Sequence, residues 1–208
     1  MNNIDIVKEG YDVIANKYLA SRKEDSEDVK LLRDLVRRLP KDARILDSGC
    51  GSGIPVTRFL SQRFEVIGVD FSEAQIQLAH QFAPQAQFIC KDMTQLAFPD
   101  NYFHAICSYY AIIHIPRQEH KRLLRNFHRM LKPLGLVLLC MGAGDLESDL
   151  QEDYLGVKMY WSHYDADTNI EMLKECGFKI IWHKLVDDPL EPGSLHLFVM
   201  AQKQKNIK

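Results

Sequence analysis

Nine residues do most to limit how this chain can fold: Ile45-Leu46-Asp47-Ser48-Gly49-Cys50-Gly51-Ser52-Gly53. An apolar run that ends in glycine at every second position lets the backbone turn without obstruction, leaves room for a ligand to touch the main chain, and points the following helix N-terminus at it. Something flat or anionic belongs there. The spacing is GxGxG, and position 54, where a dinucleotide fingerprint would carry its third glycine, is Ile54. A pyrophosphate cradle is thereby disfavoured.

Around that turn, short apolar runs alternate with helical stretches, as parallel strands buried on both faces read. The pattern predicts strands at ARILDSG, EVIGVD, QFICKD, Tyr102–Tyr110 and Leu134–Met141. Helices are predicted through Phe59 and Leu60, from Ser72 to Phe82, where Ser72 and Gln75 have the capping-box spacing, and from Gln118 to Leu131, closed by Pro133. Three successive βα units argue for a doubly wound α/β sheet. Ahead of it, apolar spacings near three and four predict helices at Ile4–Ala20 and Glu27–Leu39. The polar Ser21–Asp28 stretch between them reads as a solvated connection at which the first helix could hinge. Gly142–Tyr164 has no clear period and reads as an irregular inserted loop, of the kind that is more often functional than idle. Asp165 opens a helix that ends at Gly177, and Phe178–Val186 and Leu195–Gln202 read as two strands that pair antiparallel. The tail KQKNIK reads as solvated and disordered. At 208 residues the chain suits one domain, 1–208, with 1–40 as a helical lid and 142–164 as a loop on the substrate side.

The charge balance excludes some partners. With 26 basic and 28 acidic residues the net charge is −2, which leaves no surplus to neutralise many phosphates, so nucleic acid is not expected as the main ligand. The five cysteines are odd in number and lack CxxC spacing, which suits a reduced, cytoplasmic protein. Neither a signal peptide nor a membrane span is expected. No HxxxH, CxxC or clustered acidic set points to a metal.

The strand ends carry nucleoside chemistry. Asp70 closes the second strand beside the glycine turn, where a carboxylate can accept both hydroxyls of a ribose, and Phe71 can cover a base. Asp92, at the end of the third strand, can accept from an exocyclic adenine amine. With these residues in place, the sequence resembles the class I S-adenosylmethionine-dependent methyltransferases, in their small-molecule branch. ILDSGCGSG, VIGVDFS, the stretch from Cys90 to Ile115 and LKPLGLVLLCM resemble that family's successive motifs. The resemblance implies a Rossmann-like seven-stranded sheet in the order 3-2-1-4-5-7-6, the last strand antiparallel, with S-adenosylmethionine as cofactor. It implies that Asp47 lies near the methionine amino end, that Gly49 and Gly51 contact the cofactor through their backbone, and that Asp70 holds the ribose. It further implies that Phe71 packs on adenine, Asp92 takes its amine, the Met93 amide reaches a ring nitrogen, and the Ser108 carbonyl faces the methionine ammonium. YDVIANKY resembles the N-terminal helix that closes over the cofactor in that branch, and Tyr18 is favoured over Tyr11 as its ligand contact.

A sulfonium methyl is already an activated electrophile, so the transfer chiefly needs an acceptor held roughly 3 Å away in a dry site. His114 is the leading general base where the acceptor must lose a proton; the competing reading is a ring that hydrogen-bonds a loop carbonyl. Tyr109, Tyr160, Trp161 and His163 are the candidate acceptor contacts. Strand alternation allows only one of Tyr109 and Tyr110 to face the pocket. Cys50 reads as ordinary packing, and His120 and His128 as part of a solvated helix face with their basic neighbours. A small-molecule methyl acceptor, with the enzyme a monomer or homodimer, is the expectation. A non-catalytic cofactor-binding module and a methyltransferase acting on a macromolecule are the alternatives.

Overall fold

The computed structural model describes residues 2–23, 25–191 and 193–204. Lys205–Lys208, the end of the expected solvated tail, lie outside the described residues. The elements in chain order are α1 (Asn3–Ser21), α2 (Glu27–Arg38), β1 (Arg44–Ser48), α3 (Val56–Ser61), β2 (Glu65–Asp70), α4 (Glu73–Phe82), β3 (Gln87–Cys90) and β4 (Phe103–Ser108). Then come α5 (Arg117–Met130), β5 (Leu131–Gly142), β6 (Leu146–Tyr154), β7 (Val157–His163), α6 (Ala166–Glu175), β8 (Phe178–Asp187) and β9 (Leu195–Lys203). Seven strands form one sheet in the order β3-β2-β1-β4-β5-β9-β8. The first five run parallel, while β9 pairs antiparallel with both β5 and β8. Counted within the sheet, this is the 3-2-1-4-5-7-6 order expected from the resemblance.

Alternation along the central strands decides which helices cover which face. Leu46, Ile106, Val137 and Leu139 join Leu124, Phe127 and Leu173 of α5 and α6 in one core. Their neighbours Ile45, Ala105, Cys107, Leu136 and Leu138 join Leu32, Leu35 and Leu60 of α2 and α3 in another. Burying each such large side chain contributes roughly 1.5–3 kcal/mol, which is why the strands read as continuous apolar runs.

Four expectations need correction. The Gly142–Tyr164 segment is regular: β6 and β7 form an antiparallel hairpin apart from the main sheet. Its period is hidden because β6 is exposed along most of its length and two irregularities shift the register. The outer strand β6 carries Glu147, Asp149, Glu152 and Asp153 and no basic residue. Next, no loop separates α5 from β5. The strand starts at Leu131 and runs through Pro133 and Leu134, whose φ of +64° bends it into register. Third, Lys203 is part of β9 rather than of a solvated tail: its ammonium donates to the Leu131 carbonyl at 2.7 Å and to Asn101 Oδ1 at 3.1 Å. Last, Ser21–Asp28 is not wholly solvated, because Arg22 and Asp28 form an ion pair at 2.9 Å with both side chains almost fully buried. Opposite charges neutralise each other there, which composition alone does not reveal.

The helix α1 is set across the carboxyl edge of the sheet. Asn2 and Asp5 cap it reciprocally, and Val7 and Ile14 pack against Met159 and Tyr160 of β7. Gly10 permits the approach: a Cβ there would meet the Met159 methyl at 3.0 Å and the Lys158 carbonyl at 3.1 Å.

Candidate active site

The turn between β1 and α3 is lashed to β2, since the backbone N–H groups of Gly49 and Cys50 both donate to the Val69 carbonyl, at 2.7 and 2.9 Å. Gly49 has φ +79°, and a Cβ on it would lie 2.2 Å from that of Ala111, so glycine is obligatory there. The turn opens into a cleft lined by the strand ends on one side and α1 on the other.

Three strand-end acids face this cleft. Asp70 Oδ2 accepts from the Gly51 N–H at 2.9 Å and Oδ1 from the Ser72 N–H at 3.0 Å, which leaves further lone pairs on both oxygens. Burial pushes its carboxyl up to about 6 against those hydrogen bonds. Asp47 accepts from the Thr57 hydroxyl, and burial pushes it up to about 7. Asp92 is held by the Thr94 N–H at 2.8 Å. Phe71 and Met93 line the same side.

Helix α1 forms the opposite wall, through Ile4, Val7, Tyr11, Tyr18 and Arg22. Both Tyr11 and Tyr18 line the cleft. His114 ends a single 3-10 turn after β4 and is 8% exposed. Its Nδ1 lies 2.7 Å from the Tyr160 carbonyl, which can only accept, so Nδ1 carries the proton. In the neutral ring Nε2 is therefore an acceptor, and the Tyr11 hydroxyl donates to it at 2.9 Å. Burial keeps the ring neutral by pushing it down to about 4.

The acceptor contacts expected on sequence grounds divide. Tyr109 lines the cleft and donates to the Asp28 carbonyl at 3.0 Å. Tyr110 lines it too, against the alternation rule, because a φ of +53° takes Tyr110 out of the strand conformation. Tyr160, Trp161 and His163 do not line it. Tyr160 is buried against α1 and its carbonyl meets His114, and the Trp161 ring packs against that of His114 at 5.5 Å between centroids. His163 donates from Nδ1 to the Gly144 carbonyl. Ser108 is fully buried and also lies off the lining, its hydroxyl donating to the Ser48 carbonyl at 2.7 Å. His120, expected on a solvated face, is buried and donates from Nε2 to the Ile115 carbonyl.

Arg22 and Gln75 line the cleft and Asp12 supports its wall, and none of the three was legible as such in the sequence. Arg22 was hidden in a charged run. Asp12 Oδ1 accepts from the Ser72 hydroxyl at 2.6 Å and the Ala74 N–H at 3.2 Å, tying α1 to the start of α4. Gln75 was noted only for capping. The Ser72 hydroxyl does accept its N–H at 3.2 Å, yet the Gln75 side chain makes no reciprocal bond; both amide atoms are buried without partners at the cleft wall. Among the described residues, no group of three or more His, Cys, Asp and Glu side chains is placed to hold a metal ion.

A doubly wound sheet with a glycine turn, a ribose-ready acid and an aromatic residue at one carboxyl edge defines a nucleoside-binding α/β protein. Comparison with known proteins narrows the class. Residues 45–135 match the family described as methyltransferase domain. Phosphoethanolamine N-methyltransferase 1 of Arabidopsis thaliana is 33% identical over 144 residues, covering 65% of this chain and 28% of that protein. Trans-aconitate 2-methyltransferase of Variovorax paradoxus is 32% identical over 125 residues, covering 58% of this chain and 47% of that protein. The chain thus spans less than half the length of either relative. A crystal structure of a SAM-dependent methyltransferase from Methanosarcina mazei superposes with a TM-score of 0.73 at 23% identity, over 82% of this chain and 97% of that one. Residues 45–135 thus carry a methyltransferase domain, set in the fold of that SAM-dependent methyltransferase structure. The residues fit S-adenosylmethionine as a cofactor: Asp70 has unspent acceptor positions, Gln75 offers unpartnered amide atoms, and a Cβ on Gly51 would meet nothing nearer than 3.7 Å. No described helix is long and apolar enough to cross a membrane.

Proposed function

We propose that this chain moves a methyl group from S-adenosylmethionine to a nucleophilic atom of a small molecule by in-line displacement. The observation that carries the reading is the single cleft in which the strand-end acids and glycine turn face His114, Tyr11 and Tyr109. When bound, the cofactor supplies an electrophilic methyl on a positively charged sulfur. Asp70 accepts from its ribose hydroxyls, Phe71 packs on adenine, Asp92 takes the adenine amine and the Met93 amide a ring nitrogen. Asp47, Gly49, Gly51 and Tyr18 hold the methionine end, without Ser108, which lies off the lining. Tyr11 and His114 form a proton relay: the Tyr11 oxygen takes a proton from the acceptor as its own passes to Nε2. A domain spanning 1–208, with α1 closing the cleft and α2 packed on the sheet, is part of the proposal, as is a reducing cytoplasmic setting, supported by five unpaired cysteines.

Calorimetry with S-adenosylhomocysteine tests the binding half of the proposal. Micromolar binding is expected, with a loss of at least 100-fold in Asp70→Ala, which removes charge-assisted hydrogen bonds of about 1.5–3 kcal/mol each. No binding to the wild-type chain at millimolar ligand refutes the reading. For acceptors that must be deprotonated, His114→Ala is expected to spare cofactor affinity and lower turnover roughly 100-fold or more. Retained turnover reduces His114 to a loop anchor.

A further inference from the structure

The wall of the cleft far from Asp70 is built of different parts. Arg22 lines it with a side chain that is 4% exposed. A guanidinium has five N–H donors. One of them is spent within the described residues, from Nη2 to Asp28 Oδ2. The pair is monodentate, and Asp28 Oδ1 is itself buried without a partner, so the ion pair leaves most of the fork's donor capacity unused. The guanidinium carbon lies 4.7 Å from the centre of the Tyr110 ring. Tyr110 is held at φ +53°, a conformation unfavourable for a bulky residue, and its hydroxyl is buried with no hydrogen-bond partner. A guanidinium with unspent donors therefore lies over the ring of a tyrosine whose hydroxyl is unpartnered, and both residues line the cleft. That is the chemistry of an oxyanion site.

Position indicates whose anion it is. The Tyr110 ring packs against His196 at 5.1 Å and Phe198 at 5.8 Å, both on β9. The nucleoside contacts come from β2, β3 and the turn after β1, across the switch point, whereas the methionine end proposed above includes Tyr18, one helical turn from Arg22, so the cofactor's own carboxylate is the rival occupant that the test separates. We propose that Arg22 and Tyr110 form the recognition site for a carboxylate or phosphate carried by the methyl acceptor, so that the substrate class is anionic small molecules. This inference rests on the methyltransferase reading.

The test uses the whole chain saturated with S-adenosylhomocysteine, titrated with inorganic phosphate, phenyl phosphate and citrate, with benzyl alcohol as the uncharged control. Binding is read by calorimetry and by amide chemical shifts. At least one anion is expected to bind at low millimolar concentration or better, at least tenfold tighter than the control. The phosphates and citrate distinguish phosphate from carboxylate. Tyr110→Phe removes only an unpartnered hydroxyl, so a structural role predicts no effect on anion affinity; at least fivefold weakening is expected. Arg22→Gln with Asp28→Asn removes both buried charges together, leaves no orphaned carboxylate, and is expected to weaken the anion at least tenfold while S-adenosylhomocysteine binds within twofold of wild type. The proposal is overturned where no anion binds the loaded wild type, or where both variants bind it unchanged. It is equally overturned where the double variant loses affinity for S-adenosylhomocysteine but not for 5′-methylthioadenosine, since the anion is then the cofactor's own carboxylate. Failure of the wild type to bind S-adenosylhomocysteine refutes the methyltransferase reading instead, and this inference with it.

Discussion

Each oxygen of Asp70 accepts one backbone N–H, from Gly51 and from Ser72, so the carboxylate is oriented before any ligand arrives. Burial sets its protonation, with Asp70 near 6 and Asp47 near 7. A raised carboxyl binds its proton in the folded chain at pH values where the unfolded chain has released it. Stability of the unliganded fold therefore declines as pH climbs from about 4 through 7. Cofactor affinity runs the other way, because the ribose hydroxyls need the ionised acceptor. We expect S-adenosylhomocysteine to bind at least tenfold more weakly at pH 5 than at pH 8, and Asp70→Asn to bind poorly with a flatter profile; a flat wild-type profile by calorimetry contradicts this. Asp70 and the glycines were readable in sequence because backbone geometry restricts which residues can stand there. Arg22 was not, because Ser21–Asp28 looks like any solvated charge run until folding brings Asp28 against it. Tyr110 escaped for a related reason, since alternation holds only while the backbone stays extended.

Between elements, the Asp12 carboxylate joins α1 to the start of α4, whose first residue, Glu73, is three beyond Asp70. Asp12→Ala leaves the Ala74 N–H without its acceptor and costs about 1 kcal/mol, as loss of a helix cap does. Hydrogen exchange is expected to quicken along α1, with cofactor affinity falling several-fold; unchanged exchange at α1 would show that the contact does not hold it. The helices and parallel strands were legible because their apolar periods reflect burial. The β6–β7 hairpin was not, since an exposed strand has no apolar face to display. Its misreading carried over to Trp161 and His163, expected in the pocket from a loop but turned aside by a strand.

Across the whole molecule, β9 lies between β5 and β8 and joins the parallel half of the sheet to its antiparallel edge. Lys203, at its end, crosses to α5's terminus and to the loop before β4 through Leu131 and Asn101, and burial pushes its ammonium below the usual lysine range. Lys203→Met strands both acceptors, a loss of about 1–3 kcal/mol. The melting temperature is expected to fall by roughly 2–10 °C with cofactor affinity intact, and an unaltered melt would mean that Lys203 contributes nothing to closure of the sheet. This strand order was legible through the resemblance, whereas the lysine read as part of a polar tail.

The outer rim of the hairpin has a bearing on how the protein behaves in crowded solution. Its unpaired ladder is a template on which another molecule could add a strand. Glu147, Asp149, Glu152 and Asp153 on β6 give two such rims facing each other the same sign, and they repel over roughly 10 Å at 0.1 M salt. This edge thus guards itself against polymerisation, and that guard weakens in brine or acid.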